Sequence, residues 1–388
     1  MKALTTILLS VTAMSLPQAA FAQTHRDSPQ TPTMDVLKPE QWAKVDASVE
    51  RGLTWLETQQ RADGSFASID YAQPAVTSFC LLAFLAQGEN PTSGDYQQQL
   101  TEAISFIAKQ QKPNGLISTI APSNTPIPRN VDFYSQGLAS VYNHSISALA
   151  LTEAYGQCTP EQSEQLTPVI EKAIAATLEM QRWDKNKNDQ GGWRYLNARA
   201  SGDSDLSLTG WQLMFLRSAK NAGFDVPDES IDTAVNYVKR CFLPRKDRNV
   251  FGYIVGNHTR CTRAMAGAGV LALAHAGNHG SKESIASCEW ILRKNFNQYN
   301  KGKLFDNLTQ ADRYHYGVFL CTQAMYQSGG KYWEKFFPPL VDVLLVNQQK
   351  NGAWPPDLID ASIGSCYSTS LCILSLTVPN QMLPIFQR

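Results

Sequence analysis

The stretch RGLTWLETQQRADGSF, at residues 51–66, decides how this chain folds. It joins an apolar helical segment, a pair of glutamines, and a turn in which an aromatic residue follows two places after a glycine. Similar stretches recur, among them FIAKQQKPNGLI and LLVNQQKNGAW. The marker glycines of the six copies are Gly64, Gly115, Gly191, Gly252, Gly302 and Gly352. The recurrence of one stretch along the chain indicates a repeat architecture, so we predict six tandem helix pairs.

A second helix, rich in small and apolar residues, follows each marker glycine. Examples are SFCLLAFLAQG at 78–88 and AMAGAGVLALAHAG at 264–277. Helices that are apolar on most faces are usually buried, whereas the first helix of each pair carries polar residues such as Glu57 and Lys109. The last repeat also ends in apolar segments, where an open solenoid would need a polar cap. We therefore predict an all-α fold: a closed α/α toroid, or α6/α6 barrel, with an inner and an outer ring.

The amino-terminal residues have the form of a signal peptide. Lys2 precedes an apolar run that extends to about Leu16, and Ala20-Phe21-Ala22 is a small-x-small cleavage site. We expect cleavage after Ala22, a flexible leader at 23–40 and one toroid domain at 41–388. The protein is then periplasmic or secreted, without a transmembrane anchor.

The overall charge argues against a nucleic-acid partner. The 388 residues include 34 Lys and Arg against 34 Asp and Glu, so no net field attracts a polyanion. Eight cysteines in so long a chain are too sparse for a disulfide framework. Buried thiols are one interpretation, and a single bridge involving Cys241, Cys261 or Cys288 is the other.

The stretch at 51–66 resembles the QW motif of squalene and hopene cyclases. The matching residues are Arg51, Gly52, Trp55, Leu56, Gln60 and Gly64, with Phe66 in place of Trp, and in the last repeat Gln349, Gly352 and Trp354. Segments 142–156 and 204–223 resemble secreted bacterial prenyltransferase/squalene oxidase repeat proteins. The resemblance, over residues 45–380, implies the toroid of the terpenoid cyclase/protein prenyltransferase superfamily. It also implies that the QW residues tie outer helices together.

The catalytic motifs that this resemblance would supply are incomplete. Cyclases carry Asp-x-Asp-Asp, but here Leu206 follows Asp203 and Asp205. Asp205, with Asp203 beside it, is either a remnant general acid or the N-cap of the next helix, and we expect the cap. The resemblance to protein prenyltransferases would place zinc on Cys261 and His315. Thr259 stands where the family has its ligand Asp, so His258 or Asp312 would have to supply the third donor. Since four well-placed donors are not evident, we expect no cofactor, with zinc as the alternative.

The starts of the inner helices should converge on one mouth of the toroid and form a ligand cavity. The residues expected at this rim are Tyr142, His144, Trp211, His258, Arg260, Tyr314, His315 and Tyr367, and the same turns carry Asn143, Ser207 and Tyr316. The proline-containing segment 112–141 is either a lid over this mouth or a disordered insertion.

The sequence favours binding over catalysis because no catalytic motif is complete. The leading hypothesis is an exported toroid that binds an apolar or extended ligand, or a protein partner. One alternative is an isoprenoid cyclase that uses Asp205 as general acid. A glycan-active α/α barrel, which would need paired carboxylates, and a structural interaction module are the others.

Overall fold

The computed structural model describes residues 32, 34–132, 136–197, 202–245, 249–257, 261–299 and 312–387. They form twelve α-helices that alternate between an outer and an inner ring. The outer helices are α1 (Pro39–Glu57), α3 (Gln97–Lys109), α5 (Pro160–Gln181), α7 (Asp228–Arg240), α9 (Lys282–Arg293) and α11 (Gly330–Asn347). The inner helices are α2 (Ala75–Gln87), α4 (Leu138–Tyr155), α6 (Leu206–Asn221), α8 (Arg263–His275), α10 (Tyr314–Ser328) and α12 (Ser365–Leu376).

The inner helices close into a ring. Each packs against the next from α2 to α12, and α12 packs against α2. At the seam, α1 contacts both α11 and α12, so the outer layer is continuous there as well. The predicted closed α/α toroid is therefore confirmed.

Burial follows the composition of the two rings. Every residue of α2 except Gln87 is buried, because outer helices cover one side of an inner helix and other inner helices cover the rest. The outer helix α7 buries Ile231, Ala234, Val235 and Val238, at the three- and four-residue spacing of a single apolar stripe. Among the described residues, no helix is long and apolar enough to cross a bilayer.

The described residues include folded segments before the expected domain boundary at residue 41. A 3₁₀ helix at Met34–Val36 packs on α11, Leu37 is buried, and α1 starts at Pro39. The signal peptide expected at 1–22 lies outside the described residues. All eight cysteines are described, and they are present as thiols with no disulfide between them.

A glutamine in the marker turn joins two outer helices. In the last repeat, Gln348 Nε2 donates to the carbonyl oxygens of Gly352 and Ser48, both at 2.8 Å. Its Oε1 accepts hydrogen bonds from Ser48 Oγ at 2.7 Å and Arg51 Nη2 at 2.6 Å. Since Ser48 and Arg51 belong to α1, this glutamine fastens the last outer helix to the first. The assignment of this role to Gln349 was wrong, because that neighbouring side chain points to solvent.

Three further repeats contain this glutamine clamp. Each glutamine donates to the carbonyl of its own marker glycine and to a carbonyl of the next outer helix. The pairs with the next outer helix are Gln60 to Gln99 (2.9 Å), Gln111 to Val169 (2.7 Å) and Gln181 to Ser230 (2.8 Å). In the fourth repeat Gly252 instead follows a two-stranded hairpin of β1 (Phe242–Leu243) and β2 (Val250–Phe251), and Gly302 lies outside the described residues. The clamp thus occurs in four described repeats.

The turn approaches the neighbouring outer helix so closely that its marker position must be a glycine. Gly352 has φ +98°, and a Cβ there would overlap the carbonyl oxygen of Arg51 in α1. Gly64, Gly115 and Gly191 approach the following outer helix in the same way. A side chain would therefore separate the two helices that the glutamine joins.

The carboxyl-terminal segment covers the end of the ring where the inner helices terminate. A 3₁₀ helix at Pro384–Phe386 places the Ile385 N–H 3.2 Å from Glu153 Oε2, and Gln327 Nε2 donates to the Phe386 carbonyl at 2.7 Å. Burial raises the pKa of Glu153 to about 7. The ring closes as predicted. The apolar segment LPIF, at residues 383–386, is covered because it packs over the end of the ring as a cap.

We expect Gln348→Ala to lower the free energy of unfolding by about 1–3 kcal/mol. The substitution removes the amide group that donates to two backbone carbonyls and the amide oxygen that accepts a hydrogen bond from Arg51. Gln349→Ala is the matched control, and its stability should stay within about 0.5 kcal/mol of wild type. Urea denaturation of the two variants measures this. Equal losses in both would contradict the assignment of the clamp to Gln348.

Candidate functional site

A cavity of about 480 Å³ lies inside the ring, at the end where the inner helices begin. All six inner helices line it near their amino-terminal ends. The lining includes Val76 and Phe79 of α2, Tyr142 and Ile146 of α4, Ser207 and Trp211 of α6, Met265 of α8, Tyr316 of α10 and Tyr367 of α12. The geometry agrees with the expected convergence of the helix starts on one site.

Charged groups are scarce in this wall. Among the described lining residues, Arg313 carries the only formal charge, and none is Asp, Glu, His or Cys. Arg313 forms an ion pair with Asp360, whose side chain is completely buried. The cavity surface is consequently apolar and aromatic, with polarity supplied mainly by hydroxyl groups.

Aromatic rings build the floor of the cavity around Trp211. Its ring is stacked at 5.8 Å on Phe319, with 6° between the planes, and at 6.3 Å on Tyr316. Phe79 meets Trp211 edge-on at 5.5 Å and Tyr367 at 5.8 Å. These offset and edge-to-face pairs restrict the rings to single orientations, so the floor is preformed.

A chain of hydrogen bonds runs along the wall beside this floor. Tyr142 OH donates to Ser207 Oγ at 2.9 Å, Ser207 Oγ and Tyr316 OH are 2.8 Å apart, and Trp211 Nε1 donates to Tyr316 OH at 2.8 Å. Burial raises the pKa of Tyr142 and of Tyr316. The hydrogen bonds that these hydroxyls form with Ser207 and Trp211 lower the pKa, but by less. The phenols therefore remain protonated and can act as hydrogen-bond donors. We call this set the hydroxyl chain.

Asp205 caps α6 behind the cavity wall. Its Oδ1 accepts the Leu208 N–H at 2.9 Å, and its Oδ2 accepts the Tyr253 hydroxyl at 2.9 Å with Arg194 Nε at 3.5 Å. Burial raises the pKa of Asp205 to about 6, against the opposing effects of Arg194, these hydrogen bonds and a backbone N–H. The carboxylate itself does not line the cavity, whereas Tyr253, which also hydrogen-bonds Tyr195, does. The structure thus supports the expected N-cap.

Asp203 lies in a different environment from Asp205. Its side chain is partly exposed and lies 3.7 Å from Arg129 Nη2, and its backbone N–H donates to Asp189 Oδ2 at 3.0 Å. Asp203 is not among the residues that line the cavity. The two aspartates of the incomplete acid motif therefore do not form one site.

His144 was wrongly expected at the rim. It is fully buried, and its Nδ1 accepts the backbone N–H of Ile117 at 3.2 Å, while Nε2 pairs with Thr177 Oγ1 at 2.9 Å. In three other repeats a threonine hydroxyl accepts the corresponding N–H: Thr77 from Phe66, Thr209 from Trp193 and Thr369 from Trp354. His144 replaces that threonine in the second repeat. Burial lowers the pKa of His144 to about 3, so it is a neutral structural acceptor.

Tyr314 and His315 also point away from the cavity. Tyr314 OH donates to the Phe296 carbonyl at 3.3 Å, and His315 Nε2 pairs with Tyr299 OH at 3.0 Å. Both side chains are buried in the wall, and burial lowers the pKa of His315 to about 4. Successive helix residues are about 100° apart, so of these neighbours it is Tyr316 that faces inward.

Three of the expected rim residues do line the cavity, namely Tyr142, Trp211 and Tyr367. His258 and Arg260 lie outside the described residues. Cys261 is buried and does not line the cavity, and within the described ranges no group of three His, Cys, Asp or Glu side chains could hold a metal. The proposed zinc set of Cys261, His315 and His258 thus has no support from the two members that are described.

The residues that sequence reasoning missed are Phe79, Tyr253 and Arg313. Phe79 lies one helical turn beyond the first residue of α2, and Tyr253 follows a marker glycine, so both occupy positions where only scaffold was expected. Arg313 immediately precedes α10. A search extended one turn in each direction from every inner-helix start would have found Phe79 and Arg313, whereas Tyr253 lies ten residues before α8.

The segment 112–141 is mostly attached to the outside of the ring. Asn114 Nδ2 donates to the carbonyls of Pro122 and Asn124, and the Ile127 N–H donates to Glu179 of α5 at 2.8 Å. Of its described residues, only Leu138 and Ala139, at the start of α4, line the cavity. The described part of this segment is therefore a packed connection and not a lid across the mouth.

Comparison with known proteins reveals similarity of fold. The sequence matches no protein-family model and no curated protein sequence. The type II terpene cyclase MstE from Scytonema superimposes with a TM-score of 0.55 at 12% identity, over 88% of this chain and 100% of that chain. Cellobiose 2-epimerase from Bacillus thermoamylovorans gives 0.59 at 13% identity, over 87% and 98%. An α-amylase from Clostridium perfringens gives 0.52 at 12%, over 85% and 97%.

These neighbours carry different activities on one architecture, so at such identities they establish the fold alone. The closed ring, the glutamine clamps and the structural matches agree: the chain has the α/α-toroid fold found in type II terpene cyclases and in cellobiose 2-epimerase.

Proposed function

We propose that this protein binds an apolar ligand of isoprenoid or lipid type in its central cavity, without cyclase chemistry. The observation that carries this proposal is the composition of the described wall, which is apolar and aromatic and contains no carboxylate, imidazole or thiol. The volume of about 480 Å³ falls within the range of roughly 300–1,000 Å³ typical of small-molecule sites. Burial of such a ligand would be driven by the removal of its apolar surface from water.

Acid catalysis by Asp205 is the second candidate, and the contact between Asp205 and the cavity-lining Tyr253 is the observation in its favour. Protonation of an alkene requires an acid that reaches the substrate. Asp205 is instead separated from the cavity by Tyr253, and its oxygens accept hydrogen bonds from Tyr253 and the Leu208 N–H. The geometry is that of a helix cap with a buried ion pair.

Glycan chemistry has less support in the wall. Glycoside hydrolysis needs a pair of carboxyl groups on either side of the scissile bond. No such pair occurs among the described lining residues. The similarity to cellobiose 2-epimerase and to an α-amylase therefore counts for the scaffold and not for a sugar substrate.

We expect an apolar molecule to be recovered by solvent extraction and mass spectrometry of the purified protein. Ala139→Trp should reduce its amount at least about tenfold, because the larger side chain would fill space in the cavity wall. The control is Ala175→Trp, an exposed position of α5 on the outer ring. An empty wild type that also fails to bind added squalene would refute the proposal, as would equal occupancy in both variants.

Asp205→Asn should retain the apolar ligand, because the amide oxygen can still cap α6 and the side chain does not line the cavity. Incubation of the wild type with squalene should give no cyclised product by gas chromatography. A cyclised product that disappears in Asp205→Asn would instead establish the acid-catalysis alternative.

We further propose that the protein is exported and acts outside the cytoplasm. The support is the signal-peptide pattern in residues 1–22. Amino-terminal sequencing of protein secreted or released from the periplasm should begin at Gln23. Recovery of intact chains beginning at Met1 from the cytoplasm would contradict this prediction.

A further inference from the structure

The hydroxyl chain contains more donors than its internal hydrogen bonds can use. Its four donors are the Trp211 indole N–H and the hydroxyls of Tyr142, Ser207 and Tyr316. Three hydrogen bonds connect these groups, each consuming one hydrogen. One O–H hydrogen therefore has no acceptor within the chain, whichever way the Ser207–Tyr316 bond is oriented.

The position of the surplus hydrogen follows from the direction of the other bonds. Trp211 and Tyr142 both donate into the chain, so the remaining hydrogen belongs to Ser207 or Tyr316. Within the described part of the chain, neither hydroxyl has a further partner, and both residues line the cavity. The surplus donor is thus available to a molecule in the cavity.

Tyr367 adds a second donor to the same wall. Its ring is fixed edge-on against Phe79, and its hydroxyl has no hydrogen-bond partner among the described residues. Burial raises the pKa of Tyr367 well above its ordinary value, although the nearby Arg313 guanidinium opposes this. The hydroxyl therefore remains a neutral donor. Phe79 packs edge-on against both Tyr367 and Trp211, and Trp211 stacks on Tyr316, so the two donors belong to one aromatic cluster in the wall.

The charged side chains described around these donors occur in pairs. Arg313 at the cavity is paired with Asp360, and Arg194 behind the wall is paired with Asp205. A carboxylate ligand would have to compete with Asp360 for the same guanidinium. The surroundings consequently favour an uncharged acceptor over an anion.

We infer that the ligand is an apolar molecule with a neutral acceptor oxygen, such as a ketone or ether, which receives hydrogen bonds from Tyr367 and from the Ser207–Tyr316 pair. This inference rests on the proposed function and narrows its ligand class. A pure hydrocarbon would leave two buried donors without partners, which is unfavourable. An oxygen placed at this part of the wall satisfies them.

The test compares three probes of similar length: the isoprenoid ketone farnesylacetone, the hydrocarbon in which a methylene group replaces its carbonyl oxygen, and the corresponding carboxylate. Binding is measured by isothermal titration of the mature protein. The wild type should bind the ketone about tenfold more tightly than the hydrocarbon, as expected for net hydrogen bonding in a buried site. Tyr367→Phe should reduce this ratio to about threefold, since the second donor remains.

Tyr155→Phe is the matched control. Tyr155 packs against Phe224 outside the cavity lining, so the ratio of ketone to hydrocarbon affinity should equal that of wild type. Equal binding of ketone and hydrocarbon by wild type would overturn the inference and leave apolar binding intact. Tightest binding of the carboxylate would also overturn it. Failure of all three probes to bind would count against the proposed function itself.

Discussion

The ring depends on hydrogen bonds between glutamine amides and the backbone carbonyls of neighbouring outer helices. Hydrophobic burial is not directional, so it specifies the relative position of neighbouring helices less sharply than hydrogen bonds do. A primary amide that satisfies two carbonyls at once fixes both the turn and the next helix. Gln348 does this across the seam, where α11 meets α1 without a covalent connection. Closure is therefore determined by polar geometry and stabilised by apolar burial.

The helix pairs and their closure could be predicted because repetition leaves a strong signal in the chain. The register within a turn could not be predicted from the sequence. The motif pointed to Gln349, whereas the neighbouring Gln348 forms the clamp. Adjacent glutamines are chemically identical, and only the backbone path decides which one turns toward α1. The equivalence of His144 with Thr77 was similarly hidden, because an imidazole and a hydroxyl share the ability to accept an N–H but not their appearance in a sequence.

The site was predictable in location and only partly in composition. Helix starts indicated the correct end of the ring, yet a helix presents a different direction at each residue. Tyr316 faces the cavity while His315 and Tyr314 enter the wall, and a difference of one position decides between them. Asp205 shows that an acidic residue near a cavity can serve the scaffold, since the helix end and Arg194 already engage its carboxylate.

The capped carboxyl-terminal end has a kinetic consequence for any molecule inside the ring. Phe386 meets Phe319 at 5.9 Å, and Phe319 in turn stacks on Trp211, so aromatic rings fill the axis from the cap to the cavity floor. Among the described residues, the cavity is thus closed on the side of the cap, and an occupant exchanges through the end where the inner helices begin. An occupant must depart before a successor can arrive, so exchange proceeds at the departure rate of the first molecule and does not accelerate with the concentration of the second.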